Sequence, residues 1–192
     1  CIPTKALIAS TAVLENIKHA ADFGFQVENY KIDFEKIMDR KKSVVSQMLK
    51  GVNYLIKKNK IDLFEGTAKV LSKDQVEIAK NDGSLEIIEG NNIVLATGSE
   101  PALIGALGYN GKTVITSNEI LDIDSIPKSL LIIGGGVIGC EFATIFASLG
   151  SEVTIVEAMP SILPMVDSEL TKRFALILKK RGVKVKTNAM IK

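Results

Sequence analysis

The stretch Leu130-Leu131-Ile132-Ile133-Gly134-Gly135-Gly136-Val137-Ile138-Gly139-Cys140-Glu141, followed by Val153-Thr154-Ile155-Val156-Glu157, decides how this chain folds. An apolar run of strand length feeds Gly134, and a helix-period apolar segment extends from Val137 to Leu149. Gly150 stops that segment, and a second β-branched run ends in an acid. Glycines spaced G-x-G-x-x-G are a weak signal alone. In this order of strand, turn, helix, strand and acid they form a specific dinucleotide-binding fingerprint.

Each residue type has a physical task. Gly134 permits the tight turn from strand to helix, Gly136 lets a pyrophosphate approach the backbone, and Gly139 lets helix and strand pack closely. The loop as a whole, Gly134, Gly135, Gly136, Val137, Ile138 and Gly139, puts the phosphates at a helix N-terminus, where free N–H groups and the positive dipole end favour an anion. Glu157 lies 18 positions after Gly139, where an acid accepts hydrogen bonds from the adenosine ribose hydroxyls. A 2′-phosphate would meet that carboxylate, and Ala158, Met159, Pro160 and Ser161 offer no arginine to neutralise it. The nucleotide expected is therefore NAD and not NADP.

Composition sets milder bounds. The 192 residues, 46% hydrophobic, suffice for one large or two small domains with a core. The net charge of +2 points to no acidic partner. The cluster Arg40-Lys41-Lys42 with Lys57, Lys58 and Lys60 reads as the solvated side of helices and not as a nucleic-acid patch. No Trp and only three Tyr are present, against base-stacking platforms. No apolar stretch approaches the roughly 20 residues that span a bilayer, and no signal peptide is evident, so the expectation is a cytoplasmic protein without membrane partners. No metal-ligand cluster stands out. The chain begins at Cys1 and stops at Lys192, leaving about 60 residues after Ser129 for a domain that needs two βαβ halves. A piece of a longer protein is expected.

Two blocks join near Asp122 to Pro127. In the first, Pro3 stands at a helical N1 position, and Leu7, Val13, Leu14, Ile17 and Ala21 share one face of a helix running to about residue 21. A second helix follows Asp33 as N-cap, with Phe34, Ile37, Val44, Val45, Met48, Val52, Leu55 and Ile56 at spacings of three and four. Short strands are predicted at Ile61 to Glu65, Ala68 to Leu71, Gln75 to Ala79, Leu85 to Glu89 and Ile93 to Ala96, with a turn at Asn81-Asp82-Gly83. The second block is the fingerprint unit, a helix within Ser161 to Arg181 closing at Gly182, and a strand at Val183 to Thr187.

Three motifs in these positions carry a resemblance. Cys1-Ile2-Pro3-Thr4-Lys5 is similar to the second half of the C-x-x-x-x-C redox segment of the pyridine nucleotide-disulfide oxidoreductases. Ile93-Val94-Leu95-Ala96-Thr97-Gly98-Ser99 resembles their flavin-binding A-T-G-S/T loop, and the glycine fingerprint follows at the family's spacing. The Cys-Ile-Pro-Thr-Lys spelling and the acid at Glu157 suit the branch that oxidises dihydrolipoamide with NAD. The implied fold is α/β: residues 1–124 as part of an FAD-binding domain of helices and a small β-meander, and 125–192 as the first half of a Rossmann-like NAD-binding domain.

The same resemblance implies roles. Cys1 matches the cysteine nearest the flavin, with its disulfide partner five positions upstream. Lys5 matches the lysine beside flavin N5, and Glu141 the acid paired with it where nicotinamide stacks. Gly66 and Ala68 match a strand that touches the FAD adenosine, Thr97, Gly98 and Ser99 a second flavin contact, and Ile191 a residue covering the NAD adenine. The implied activity is oxidation of protein-bound dihydrolipoamide through a cysteine pair and FAD to NAD. The implied partners are the lipoyl-bearing domain of a 2-oxoacid dehydrogenase or glycine cleavage complex and, in the full-length protein, a second copy in a homodimer. Alternatives in the same family are another NADH-linked disulfide reductase or an NADH oxidase. As an isolated piece the chain is expected to be an inactive nucleotide-binding module, since the first flavin glycine loop lies outside it.

Independent physics bears on single residues. A cysteine just before a proline-started helix sits where the dipole and a nearby lysine favour the thiolate, although Cys1 read alone is also simply an inert first residue. Cys140, among Ile138, Phe142 and Ala143, reads as a buried packing thiol. His19 reads as a surface residue at a helix C-terminus, and Thr97-Gly98-Ser99 alone is equally a strand-end turn.

Overall fold

The β-branched runs on either side of the glycine loop form parallel strands in the computed structural model, which describes residues 1–191. The architecture is mixed α/β, and the chain divides into two compact units, Cys1–Ser46 with Pro101–Lys192, and Gln47–Glu100.

In the first unit, β4 (Ser129–Ile133), β5 (Glu152–Val156) and β6 (Lys184–Lys186) pair in the order β4-β5-β6. Ile132 stands opposite Ile155, and Ile155 opposite Val185. Helix α3 (Val137–Ser148) crosses from β4 to β5 and is nearly all apolar. Its Phe142, Ala143, Ile145 and Phe146 are buried with Val153, Ile155 and Val183. Helix α4 (Ser168–Lys180) starts at Asp167, whose carboxylate accepts from the N–H groups of Glu169 and Leu170, and it adds Leu178 to the same core. Gly182, at φ 81°, ends it in the left-handed region that glycine alone enters freely.

Helix α1 (Ile2–Lys18) starts one residue earlier than its sequence suggests: Cys1 is the N-cap, so Pro3 is the second helical residue and not the first. Its inner stripe is Thr4, Leu7, Thr11 and Leu14, whereas Val13 is exposed. Helical spacing selects the threonines despite their polarity, and the Thr11 hydroxyl is satisfied by the Ile8 carbonyl at 3.0 Å. The helix stops at Lys18, and a 3₁₀ turn, Ala20–Phe23, carries the chain to Gly24.

Helix α2 (Phe34–Lys58) begins where expected, with the Asp33 carboxylate accepting from the Lys36 N–H at 3.1 Å. Arg40, Lys42, Lys57, Lys58 and Lys60 are exposed, as their composition suggests, and Lys41 is the exception. Lys41 is buried, its ammonium donating to the Leu121 carbonyl at 2.6 Å and the Asp122 carboxylate at 2.7 Å. Arg40 donates to the Ala6 carbonyl at 2.9 Å. Both side chains are structural because each finds an acceptor that charge counting cannot foresee.

The second unit holds the end of α2 and an antiparallel meander of β1 (Gly66–Val70), β2 (Gln75–Lys80) and β3 (Leu85–Glu89). Asp82 accepts from the Ser84 N–H and hydroxyl, and Gly83 turns at φ 85°, closing the predicted hairpin. A Cβ at Gly66 would run into the Ala79 carbonyl, so β1 can approach β2 there only with glycine. The strands predicted at 61–65 and 93–96 are absent: those residues are irregular and mostly exposed. They have strand composition but pair with no strand among the described residues, where the sheet of this unit is β1-β2-β3.

Asp122→Ala leaves the buried Lys41 ammonium with one carbonyl partner, and such an orphaned donor costs about 1–3 kcal/mol. Lys41→Met, which removes the charge and keeps the stem, should cost less. Urea unfolding of the two variants measures the order.

Candidate functional site

Lys5 and Glu141 are 136 positions apart and form an ion pair, the Lys5 ammonium donating to Glu141 Oε1. A second link joins the same two helices: the Lys18 ammonium donates to the Ser148 carbonyl at 2.9 Å and to Glu15 at 3.0 Å. Because the first link lies near both helix starts and the second at both ends, α1 and α3 run side by side in the same direction. Their N-termini, capped by Cys1 and Gly136, therefore open on the same side of the unit.

This places the first motif beside the third. Cys1 is a free, exposed thiol at the start of α1. Lys5 sits one turn in, at the end where the dipole disfavours a cation. Its side chain is 62% exposed and that of Glu141 25%, so the pair adds at most about 1 kcal/mol to stability. A lysine there is better explained by what it faces than by what it stabilises.

The fingerprint loop is built from several constraints. Gly134 turns at φ 103°, its N–H bonded to the Val156 carbonyl at 2.8 Å. A Cβ at Gly139 would collide with the Gly134 carbonyl and Ile132. Gly136 faces open space, and no side chain caps the first turn of α3, leaving its N–H groups open to an anion as Val137 and Ile138 enter the helix. Glu157 follows β5 directly, and its carboxylate accepts from the Gly135 N–H at 2.6 Å and the Met159 N–H at 2.8 Å. Sequence reasoning missed this second employment, and also Ile162, which is buried against Gly135.

Gly66 and Ala68 are exposed on β1, and Thr97, Gly98 and Ser99 form an exposed irregular segment with Gly98 at φ 75°, all in the second unit. The lack of a side chain at Gly66 is accounted for inside its own sheet. Ile191 follows β6 and is exposed. His19 caps the end of α1 with Asp22 beside it at 3.4 Å. Among the described residues, no cluster of His, Cys, Asp and Glu suits a metal ion, and no helix is long and apolar enough to cross a membrane.

Residues 1–192 match the family described as pyridine nucleotide-disulphide oxidoreductase. The chain belongs to this family. A dihydrolipoyl dehydrogenase of Bacillus subtilis is 42% identical over the whole chain, which covers 42% of that protein, and one of Chlamydia pneumoniae is 41% identical with 41% of its length covered. The chain thus spans about two fifths of these relatives. LpdA of Mycobacterium tuberculosis superposes with a TM-score of 0.88 at 25% identity, over 98% of this chain and 42% of its own. A HOCl-induced flavoprotein disulfide reductase of Escherichia coli superposes at 0.74 with 29% identity, over 100% of this chain and 40% of its own.

Cys140 has a different setting from Cys1. It is buried, its Sγ donating weakly to the Gly135 carbonyl at 3.4 Å. Burial first, and the Glu157 carboxylate second, push its thiol up from 9.0 to about 11. A raised value favours the protonated form, so the stability it contributes is complete below pH 9.0 and lost as pH rises towards about 11. Iodoacetamide below pH 9.0 should alkylate Cys1 and spare Cys140 until the protein is unfolded, as read by peptide mass spectrometry.

Proposed function

We propose that the full-length protein is an NAD-dependent dihydrolipoyl dehydrogenase, oxidising dihydrolipoamide carried on a lipoyl domain of a 2-oxoacid dehydrogenase or glycine cleavage complex. The observation that carries this reading is the Lys5–Glu141 pair, which sets a cysteine-capped helix beside the nucleotide fingerprint. The relatives named dihydrolipoyl dehydrogenase support it.

Bound FAD supplies a two-electron relay between a dithiol and nicotinamide. The chain's own residues do the rest. Cys1 would be the flavin-side member of a disulfide with the cysteine five positions upstream: the substrate dithiol reduces that disulfide by exchange, leaving as its own disulfide, and Cys1 is released as a thiolate at a helix N-terminus whose dipole stabilises an anion. Lys5 would place a positive charge beside the flavin and so favour its reduced, anionic form, and Glu141 fixes that ammonium and keeps the local charge balanced. The loop Gly134 to Gly139 receives the NAD pyrophosphate, with Ile191 over the adenine and Glu157 on the ribose hydroxyls. Gly66 and Ala68, with Thr97, Gly98 and Ser99, hold FAD. Residues 1–124 then belong to the FAD-binding domain and 125–192 to the NAD-binding domain of a cytoplasmic homodimer.

Full-length protein given dihydrolipoamide and NAD should produce absorbance at the NADH wavelength, NADP should serve poorly, and Cys1→Ser should abolish turnover. Turnover with a different disulfide, or of NADH with oxygen alone, would assign the chain to another branch of the family. Lys5→Met and Glu141→Gln should each change urea stability by less than about 1 kcal/mol while lowering kcat, a split that separates a chemical role from a structural one.

A further inference from the structure

Every polar group of Glu157 is engaged within the fold. Its N–H donates to the Lys186 carbonyl at 2.8 Å, its carbonyl accepts from the Ala189 N–H at 3.0 Å, and its two carboxylate oxygens accept from the Gly135 and Met159 N–H groups. Gly135 is gripped from its other side as well, its carbonyl accepting from the Leu163 N–H at 2.8 Å. A Cβ at Gly135 would stand 2.6 Å from Ile162 Cγ2, 3.2 Å from Ile162 Cβ and 3.3 Å from Glu157 Cβ. Ile162 is 2% exposed and belongs to the main core, so it cannot give way cheaply. The segment after β5 thus clasps the glycine loop through a charged hydrogen bond, a backbone hydrogen bond and a packed side chain, all converging on one residue.

We propose that Glu157 is a positioning residue for the phosphate-binding loop as well as the reader of the ribose, holding Gly135 in its nucleotide-ready place before any ligand arrives. This rests on the nucleotide reading above for its second half only. An acid that reads ribose needs free lone pairs but no bond to the loop. One that also accepts from Gly135 ties the choice of nucleotide to the shape of the pyrophosphate cradle. Exchanging Glu157 for a cation to admit a 2′-phosphate therefore also releases the loop, because an ammonium or guanidinium cannot accept from the Gly135 N–H.

Two measurements on the full-length protein test this. The first is amide exchange at Gly135 without nucleotide, in wild type, Glu157→Ala and Glu157→Gln. The charged acceptor should protect that amide by about tenfold or more relative to Glu157→Ala, with Glu157→Gln between them because its carbonyl oxygen still accepts. The second is binding of an NAD analogue whose adenosine ribose lacks both hydroxyls. If Glu157 only reads ribose, wild type and Glu157→Ala bind the analogue equally; if it also sets the loop, the variant binds it roughly tenfold more weakly. Equal exchange at Gly135 or equal affinity for the analogue would overturn the proposal. Failure of wild type to bind NAD would overturn the nucleotide reading, and the exchange experiment would still decide the clasp.

Discussion

Two helices lying side by side in the same direction are the constraint on which the candidate site depends. Parallel neighbours align their macrodipoles unfavourably, so the apolar faces between them must supply the attraction. Leu7 and Leu14 of α1 belong to the same buried cluster as Phe142, Ile145 and Phe146 of α3. In return, two helix N-termini are brought together. One begins at a cysteine and the other at a glycine loop with open N–H groups, so a thiolate and a phosphate are both favoured on one side of the unit.

The sheet gives this arrangement its rigidity. β4 delivers the chain to Gly134 and β5 delivers it to Glu157, and their register, Ile132 against Ile155 and Ile133 against Val156, fixes the two strand ends level with each other. The loop and the acid are therefore neighbours by strand pairing before any side chain contributes. Lys41 braces a different part of the unit, tying α2 to the segment around Asp122 that leads into β4.

Much of this was readable from residues alone, for identifiable reasons. The fingerprint unit was legible because its turn chemistry, its two periodicities and its bounding glycines all agree, from Gly134 to Gly150. The meander was legible where Asn81-Asp82-Gly83 sets a hairpin, and misread at 61–65 and 93–96, where β-branched composition carries no information about whether a partner strand exists. Lys41 was misread because burial of a cation depends on acceptors 80 positions away. The Lys5–Glu141 meeting came from motif resemblance, since nothing local links those residues. The Gly135 clasp was invisible, because the sequence pattern treats that glycine as a free position between two required ones.

Lys18 has a consequence of its own. Its single ammonium lies at the negative ends of both α1 and α3, donating to a main-chain carbonyl of one and a carboxylate of the other. Terminal fraying, ordinarily a private matter for each helix, is thereby shared: a last turn that opens in one removes the counter-charge from the other. The far end of the pair loosens or holds as one body, and the near end, where Cys1 and the glycine loop lie, inherits its register from that joint closure.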